Sequence, residues 1–163
     1  MYTTIHPSPV GDILLRADDE GRLTELYLRH DGAHDTGGPF EAAREQLDAY
    51  FAGEREDFDL PLALHGTEFQ TRVWEQLTRI PYGETVSYSQ LAKRLGDPKL
   101  VRAVGLANGR NPVSIIVPCH RVIGADGSLT GFGGGLPRKQ WLLSMERGQS
   151  QMPLYADGPT VSA

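Results

Sequence analysis

Ser87-Tyr88-Ser89-Gln90-Leu91-Ala92-Lys93-Arg94-Leu95-Gly96-Asp97-Pro98, continued by Lys99 to Asn108, is the stretch from which the architecture is read. Ser87 followed three residues later by Gln90 is a capping box, which starts a helix by satisfying two orphan N–H donors reciprocally. Leu91, Ala92 and Leu95 then fall on one inward face. Gly96 stops the helix. Asp97 caps a second one, and Pro98 sits where its missing N–H costs nothing. Two short helices joined by a tight glycine-containing turn read as a helix-turn-helix. The second helix, from Lys99 to about Asn108, carries the small residues Ala103, Gly105 and Ala107 with Arg102 among them. Small side chains let a helix backbone approach another surface closely, either the protein's own interior or a partner.

Downstream lies Asn111-Pro112-Val113-Ser114-Ile115-Ile116-Val117-Pro118-Cys119-His120-Arg121-Val122. Its apolar run reads as a buried strand that ends abruptly in polar residues. Cys119 is the one cysteine among 163 residues. An internal disulfide and a multi-cysteine zinc site are therefore excluded within the chain. A lone thiol is either a small core hydrophobe or a chemical tool. The Pro-Cys-His-Arg setting favours the nucleophile, because His120 and Arg121 are both expected to hold the thiol below its ordinary pKa of about 8.5. A final helix from about Pro137 to Arg147 turns Trp141, Leu142 and Met145 inward.

Upstream, Thr67 and Gln70 form another capping box, followed by Phe69, Val73, Trp74, Leu77 and Ile80 at helical spacing. Farther back the signals change. The segments 12–17 and 23–28 read as short strands separated by the turn-forming Asp18-Asp19-Glu20-Gly21, which predicts a β-hairpin. Pro39 suits the first position of a helix carrying Phe40, Ala43, Leu47, Tyr50 and Phe51, ended by Gly53. The expected organisation is an α+β subdomain over residues 1–65, a mostly helical catalytic and DNA-binding domain over 66–148, and a loose tail over 149–163.

Charge divides the same way. Residues 1–65 hold 5 Lys/Arg against 14 Asp/Glu, whereas 66–147 hold 11 against 6. The overall charge of −5 therefore hides a basic back half, where any nucleic-acid contact is expected. Apolar residues make up 39% and no run approaches the roughly 20 needed to span a bilayer. The first residues lack the pattern of a signal peptide, so a cytoplasmic protein without a membrane partner is the expectation.

Taken together, Arg102-Ala103-Val104-Gly105, Ala107-Asn108-Gly109, Asn111-Pro112, Pro118-Cys119-His120-Arg121-Val122-Ile123-Gly124, Gly131-Phe132-Gly133-Gly134-Gly135, and Lys139, Leu142, Leu143 and Glu146 resemble the O6-alkylguanine-DNA alkyltransferases. The resemblance is close from about Phe69 to Glu146, and residues 1–65 share only the layout. It implies an α+β fold, a small N-terminal antiparallel sheet with a helix packed on a mostly helical, winged-helix-like C-terminal domain. It also implies irreversible, single-turnover transfer of an alkyl group from O6-alkylguanine, with O4-alkylthymine as a further candidate, in flipped-out double-stranded DNA. No cofactor and no metal are implied, and a monomer is expected.

The resemblance also assigns roles. Cys119 would be the alkyl acceptor, His120 its general base through a water, and Glu146 the group that fixes the imidazole. Tyr88 would assist the leaving guanine, and Asn111 would order the active-site turn. Phe132, Gly133, Val122 and Asn108 would contact the extruded base. Arg102 would fill the vacated stack while Ala103, Gly105, Ala107 and Ser89 meet the DNA. Phe132 stands where many relatives have tyrosine, so a stacking wall is kept without its hydroxyl. The zinc site of some relatives needs cysteines absent here, and the spacing of His30 and His34 reads as incidental. Two other classes share parts of the pattern. A non-catalytic lesion sensor of the same fold would have another residue at position 119, and a cysteine hydrolase would turn over repeatedly.

Overall fold

The computed structural model describes residues 1–28 and 32–149; the readings of His30 and of the tail beyond 149 lie outside them. Strands β1 (Tyr2–His6), β2 (Ile13–Ala17) and β3 (Leu23–Tyr27) form an antiparallel sheet in that order. Leu15 lies opposite both Thr4 and Leu26. The predicted turn is built by Asp18, whose carboxylate accepts the backbone N–H groups of Glu20 and Arg22. Ile13, Leu15, Ala17 and Leu26 bury one face of the sheet.

Helix α1 (Glu41–Phe51) starts two residues later than Pro39 led us to expect. Phe40 is drawn into the core, and its N–H closes a turn onto Gly38 O, so helical geometry begins only after it. Helices α2 (Glu68–Thr78) and α3 (Tyr88–Arg94) open with the two predicted capping boxes, complete in both directions. Asp97 accepts the N–H of Lys99 and opens a 3-10 turn, Pro98–Leu100, that runs into α4 (Val101–Gly109). The short strands β4 (Val86–Ser87) and β5 (Val122–Ile123) pair in parallel, and α5 (Leu136–Glu146) closes the order.

One apolar cluster runs through both halves, from Leu15, Leu26, Leu47 and Tyr50 to Trp74, Leu91, Val104, Val122 and Leu142. The indole N–H of Trp74 donates to Ala107 O at 2.9 Å, fastening α2 to α4. The outer edge of β3 is shared between two irregular segments. Leu23 exchanges backbone bonds with Pro61 and Ala63, while Leu26 exchanges them with Pro112 and Ser114. The N-terminal sheet thus holds the chain just ahead of Cys119.

Candidate active site and its outward helix

The apolar run 113–117 is a buried turn rather than the expected strand. Only Val113 pairs with a strand residue, Leu26, and Ile115 takes φ +72°. A β-branched residue in this left-handed region costs about 1–3 kcal/mol and persists only where its surroundings over-determine it. Here they do: Ile115 is fully enclosed, and Asn111 spans the turn. Its amide donates to Val117 O at 2.7 Å and accepts from the Val113 N–H at 3.0 Å. The turn delivers Cys119, His120 and Arg121 as a single 3-10 turn, all three buried.

Glu146, at the end of α5, gathers the charges behind the thiol. One carboxylate oxygen accepts from His120 Nε2 at 2.8 Å, from Arg121 at 3.0 Å and from the Tyr50 hydroxyl. The other accepts from Arg121 Nε at 2.8 Å. Burial alone would raise this carboxyl's pKa, but the His120 and Arg121 bonds outweigh it and hold the group far below the usual carboxylate range. A carboxylate only accepts, so His120 Nε2 carries the hydrogen and Nδ1 keeps its lone pair. That Nδ1 is buried and has no hydrogen-bond partner. Burial lowers the pKa of His120, although Glu146 pulls it back in part. The resting imidazole is neutral, with the Nδ1 lone pair free to accept a proton.

Arg121 does not activate the thiol as its position in the sequence suggested. Its guanidinium is committed to Glu146 and to Ile80 O. Burial raises the Cys119 pKa, and hydrogen bonds from Asn111 and Ser114 and the charge of Lys139 offset this only partly. Cys119 therefore rests as a thiol, and its proton must leave during reaction. Lys139 is itself fully buried, donating to Val122 O at 2.7 Å and Thr130 O at 2.9 Å. Sequence reasoning left Lys139, Ser114, Arg121 and Tyr50 without these roles. A lysine inside the apolar face of a predicted helix was the one visible signal.

A cavity of about 630 Å³ opens beside Cys119. Asn108, Asn111 and Ser114 line it, as does the loop Gly131–Gly134 including Phe132 and Gly133. Asn108 reaches Cys119 O through its amide at 3.4 Å. Tyr88 is not among the lining residues: its hydroxyl donates to Thr130 O at 3.2 Å, at the base of the same loop. Leu14, Arg16 and Tyr27 of the N-terminal sheet, and Leu28 just after it, also line the cavity, which no motif had suggested.

Comparison with known proteins agrees in both halves. The 6-O-methylguanine DNA methyltransferase DNA-binding domain matches residues 68–148, and the ribonuclease-like domain of the same proteins matches residues 1–64. The chain belongs to the 6-O-methylguanine DNA methyltransferase family. A methylated-DNA–protein-cysteine methyltransferase of Methanosarcina acetivorans is 51% identical over 153 residues, covering 90% of this chain and 98% of its own. One from Mycolicibacterium paratuberculosis is 51% identical over 160 residues, covering 94% and 96%. Among solved structures, Mycobacterium tuberculosis OGT in complex with DNA superposes with a TM-score of 0.84 at 51% identity, covering 91% of this chain and 94% of that one. The activity of this family is transfer of an alkyl group from DNA to a cysteine of the protein, and Cys119 is the one cysteine this methyltransferase has.

The methyltransferase presents only part of α4 outward. Arg102 is exposed and has no ion-pair partner among the described residues, while Ala103 and Gly105 are half-buried. Gly105 faces the Tyr88 ring, to which an added Cβ would come within 4.0 Å. Ala107 corrects the sequence reading: it is 3% exposed and packs inward, with its carbonyl bound to Trp74, so its side chain meets no partner. Leu106, 64% exposed, takes the outward place beside it. Ser89 is half-buried at the start of α3. Among the described residues no helix is long and apolar enough to cross a membrane, and no cluster of His, Cys, Asp or Glu is arranged to hold a metal ion.

Proposed function

We propose that Cys119 removes the alkyl group from O6-alkylguanine in duplex DNA by one in-line displacement, and that each molecule repairs one lesion. The observation that carries this reading is the lone thiol at a cavity wall, backed by a neutral histidine whose free Nδ1 is available and whose Nε2–H is fixed on Glu146.

The lesion sits on a stacked base, so the nucleotide must leave the duplex before a cysteine can reach it, at a cost of a few kcal/mol. Arg102 occupies the vacated stack, and α4 approaches through Ala103, Gly105 and the exposed Leu106 from the minor groove. Ser89 meets the backbone. Phe132 stacks on the base, and the Gly133 N–H donates to O6. The Cys119 and Val122 carbonyls accept from the exocyclic amine. The Cys119 carbonyl already accepts from the Val122 N–H and, at 3.4 Å, from Asn108, so the amine displaces the long Asn108 bond; the Val122 carbonyl accepts from Lys139.

The thiol proton passes to His120 Nδ1, directly or through a water, and the positive imidazole is stabilised by Glu146. The charge of Lys139 favours the thiolate as it forms. The S–C bond then forms as the C–O6 bond breaks, with the electron pair leaving on the guanine, which Tyr88 helps to protonate. The product is a thioether. No group in the site can hydrolyse it, so the thiol is not restored. One chain holds every residue named, and a monomer suffices.

The test is mass analysis after incubation with an oligonucleotide containing O6-methylguanine. The Cys119 peptide should gain one methylene and saturate at one lesion per protein. Binding without a mass change would identify a lesion sensor instead, and repeated turnover would identify a hydrolase.

A further inference from the structure

We propose that Tyr50, carried by α1, is a positioning residue of the transfer reaction: its hydroxyl fixes the Glu146 carboxylate and takes up part of its charge, so that His120 stays unprotonated until the thiol proton arrives. The proposal rests on the reading of Cys119 as alkyl acceptor and His120 as its base, and it gives the N-terminal half of the chain a share in the proton step.

Tyr50 is fully enclosed. Between centroids, its ring lies 5.3 Å from Phe51, 5.2 Å from Phe58 and 6.2 Å from Tyr82, which meets it edge-on. The ring so held carries one polar atom, and that hydroxyl bonds to Glu146 Oε2. A carboxylate only accepts, so Tyr50 is the donor. Burial and the nearby Glu146 charge push the phenol's pKa well above its ordinary value, so it remains a donor at neutral pH.

The same Oε2 accepts from His120 Nε2 at 2.8 Å and from Arg121 at 3.0 Å. Two demands meet on that oxygen. A buried carboxylate with no other donor would favour a charged imidazole at rest, and a charged imidazole cannot take the thiol proton. Yet the carboxylate must still stabilise the cation once the proton has moved. Each further bond donated to Oε2 weakens its pull on the Nε2–H, because the donors share one oxygen's charge. Arg121 divides itself between both carboxylate oxygens, whereas the Tyr50 hydroxyl bonds Oε2 alone. The charged groups facing the imidazole are Glu146 and Lys139 from α5 and Arg121 from its own turn. Those facing the Tyr50 hydroxyl are Glu146 and Arg121, with the titratable Tyr82 beside them. Tyr50 is the donor in this group that adds no charge of its own, so it adjusts the pair without repelling the imidazolium.

Single-turnover transfer from an O6-methylguanine duplex to Cys119 should be followed against pH for wild type, Tyr50→Phe, and protein with 3-fluorotyrosine at position 50. Phenylalanine keeps the ring contacts and removes only the donor; fluorine makes the hydroxyl a stronger donor. Tyr50→Phe should move the acidic limb of the rate profile to higher pH, a loss of about three- to tenfold at a pH on that limb, with the plateau rate kept within about threefold. The fluorinated protein should move the limb to lower pH. In DNA-free protein, NMR of isotope-labelled histidine should show the His120 ring taking up its proton in the same order. An unmoved limb in Tyr50→Phe overturns the proposal, and so does a loss of equal size at every pH, which marks a purely structural tyrosine. If thermal unfolding shows that Tyr50→Phe does not keep the fold, the fluorinated protein decides, and a limb that fails to move downward overturns the proposal. Failure of the wild type to accept methyl from any duplex would instead remove the alkyl-acceptor reading, while the ring titration would still test Tyr50.

Discussion

The surroundings of Glu146 and the outer face of α4 are opposites. Behind the thiol, the Glu146 carboxylate is saturated by Tyr50, His120 and Arg121 in a sealed interior. On α4, Arg102 and Leu106 stand in solvent. The difference teaches where each kind of work belongs. A proton acceptor must be aimed before substrate arrives, and preorganised groups lose nothing to reorientation during reaction. A surface that replaces an extruded base must stay unsatisfied until the duplex supplies its partners. The strained turn at Ile115 belongs with the first region, since burial and Asn111 hold it in place.

Breaking the interior side should produce the largest effects. Cys119→Ala should abolish transfer while retaining affinity for alkylated duplex, read by mass analysis and by gel shift; loss of both would make the residue mainly structural. His120→Ala should slow single-turnover transfer by about 10²–10⁴-fold, the usual contribution of a positioned base. Glu146→Ala strips the partner from a buried arginine and should cost about 3–5 kcal/mol in chemical denaturation.

The outward side should respond more mildly and selectively. Arg102→Ala should weaken repair in duplex DNA by about tenfold, or about 1.4 kcal/mol, a part of the few kcal/mol that unstacking costs. It should leave the reaction with free O6-benzylguanine nearly intact; equal losses on both substrates would contradict base extrusion. Its unfolding free energy should stay within about 0.5 kcal/mol of wild type, as expected for a surface change.

Acidification sharpens the contrast most gently. Glu146 and His120 both have folded pKa values below their unfolded ones, so the unfolded chain binds more protons as pH falls. Stability should decline below the ordinary histidine value of about 6.5 and more steeply below the ordinary glutamate value of about 4.3. Cys119 has the opposite sign, its raised pKa removing stability above the ordinary thiol value of about 8.5. A plateau between these limits is the expected melting profile, and Glu146→Gln should flatten its acidic limb.

Local rules made much of this legible. Both capping boxes were read correctly because each is complete within four residues. Cys119 stood out by being alone. What stayed hidden depends on contacts across long stretches of chain. Tyr50 reaches Glu146 over 96 positions, and nothing near either residue announces it. The run 113–117 forms a turn where its apolar content suggests a strand, because apolar content marks burial and not conformation. Arg121 was misassigned for a related reason: adjacency to Cys119 says nothing of direction, and a 3-10 turn sends it to Glu146. Small size alone also does not say which way a residue of α4 points, and Ala107 packs inward while Leu106 stands outside.

The two borrowed segments along β3 have a further effect. Exposed strand edges recruit strands from other chains and seed aggregation. Here β3 is occupied by 61–63 and 112–114, while Thr36 and Gly37 bond to Thr3 on the opposite border. The backbone that steadies the reactive loop therefore also closes the sheet to strand addition, so crowding many copies together should not zip them into fibrils through this surface.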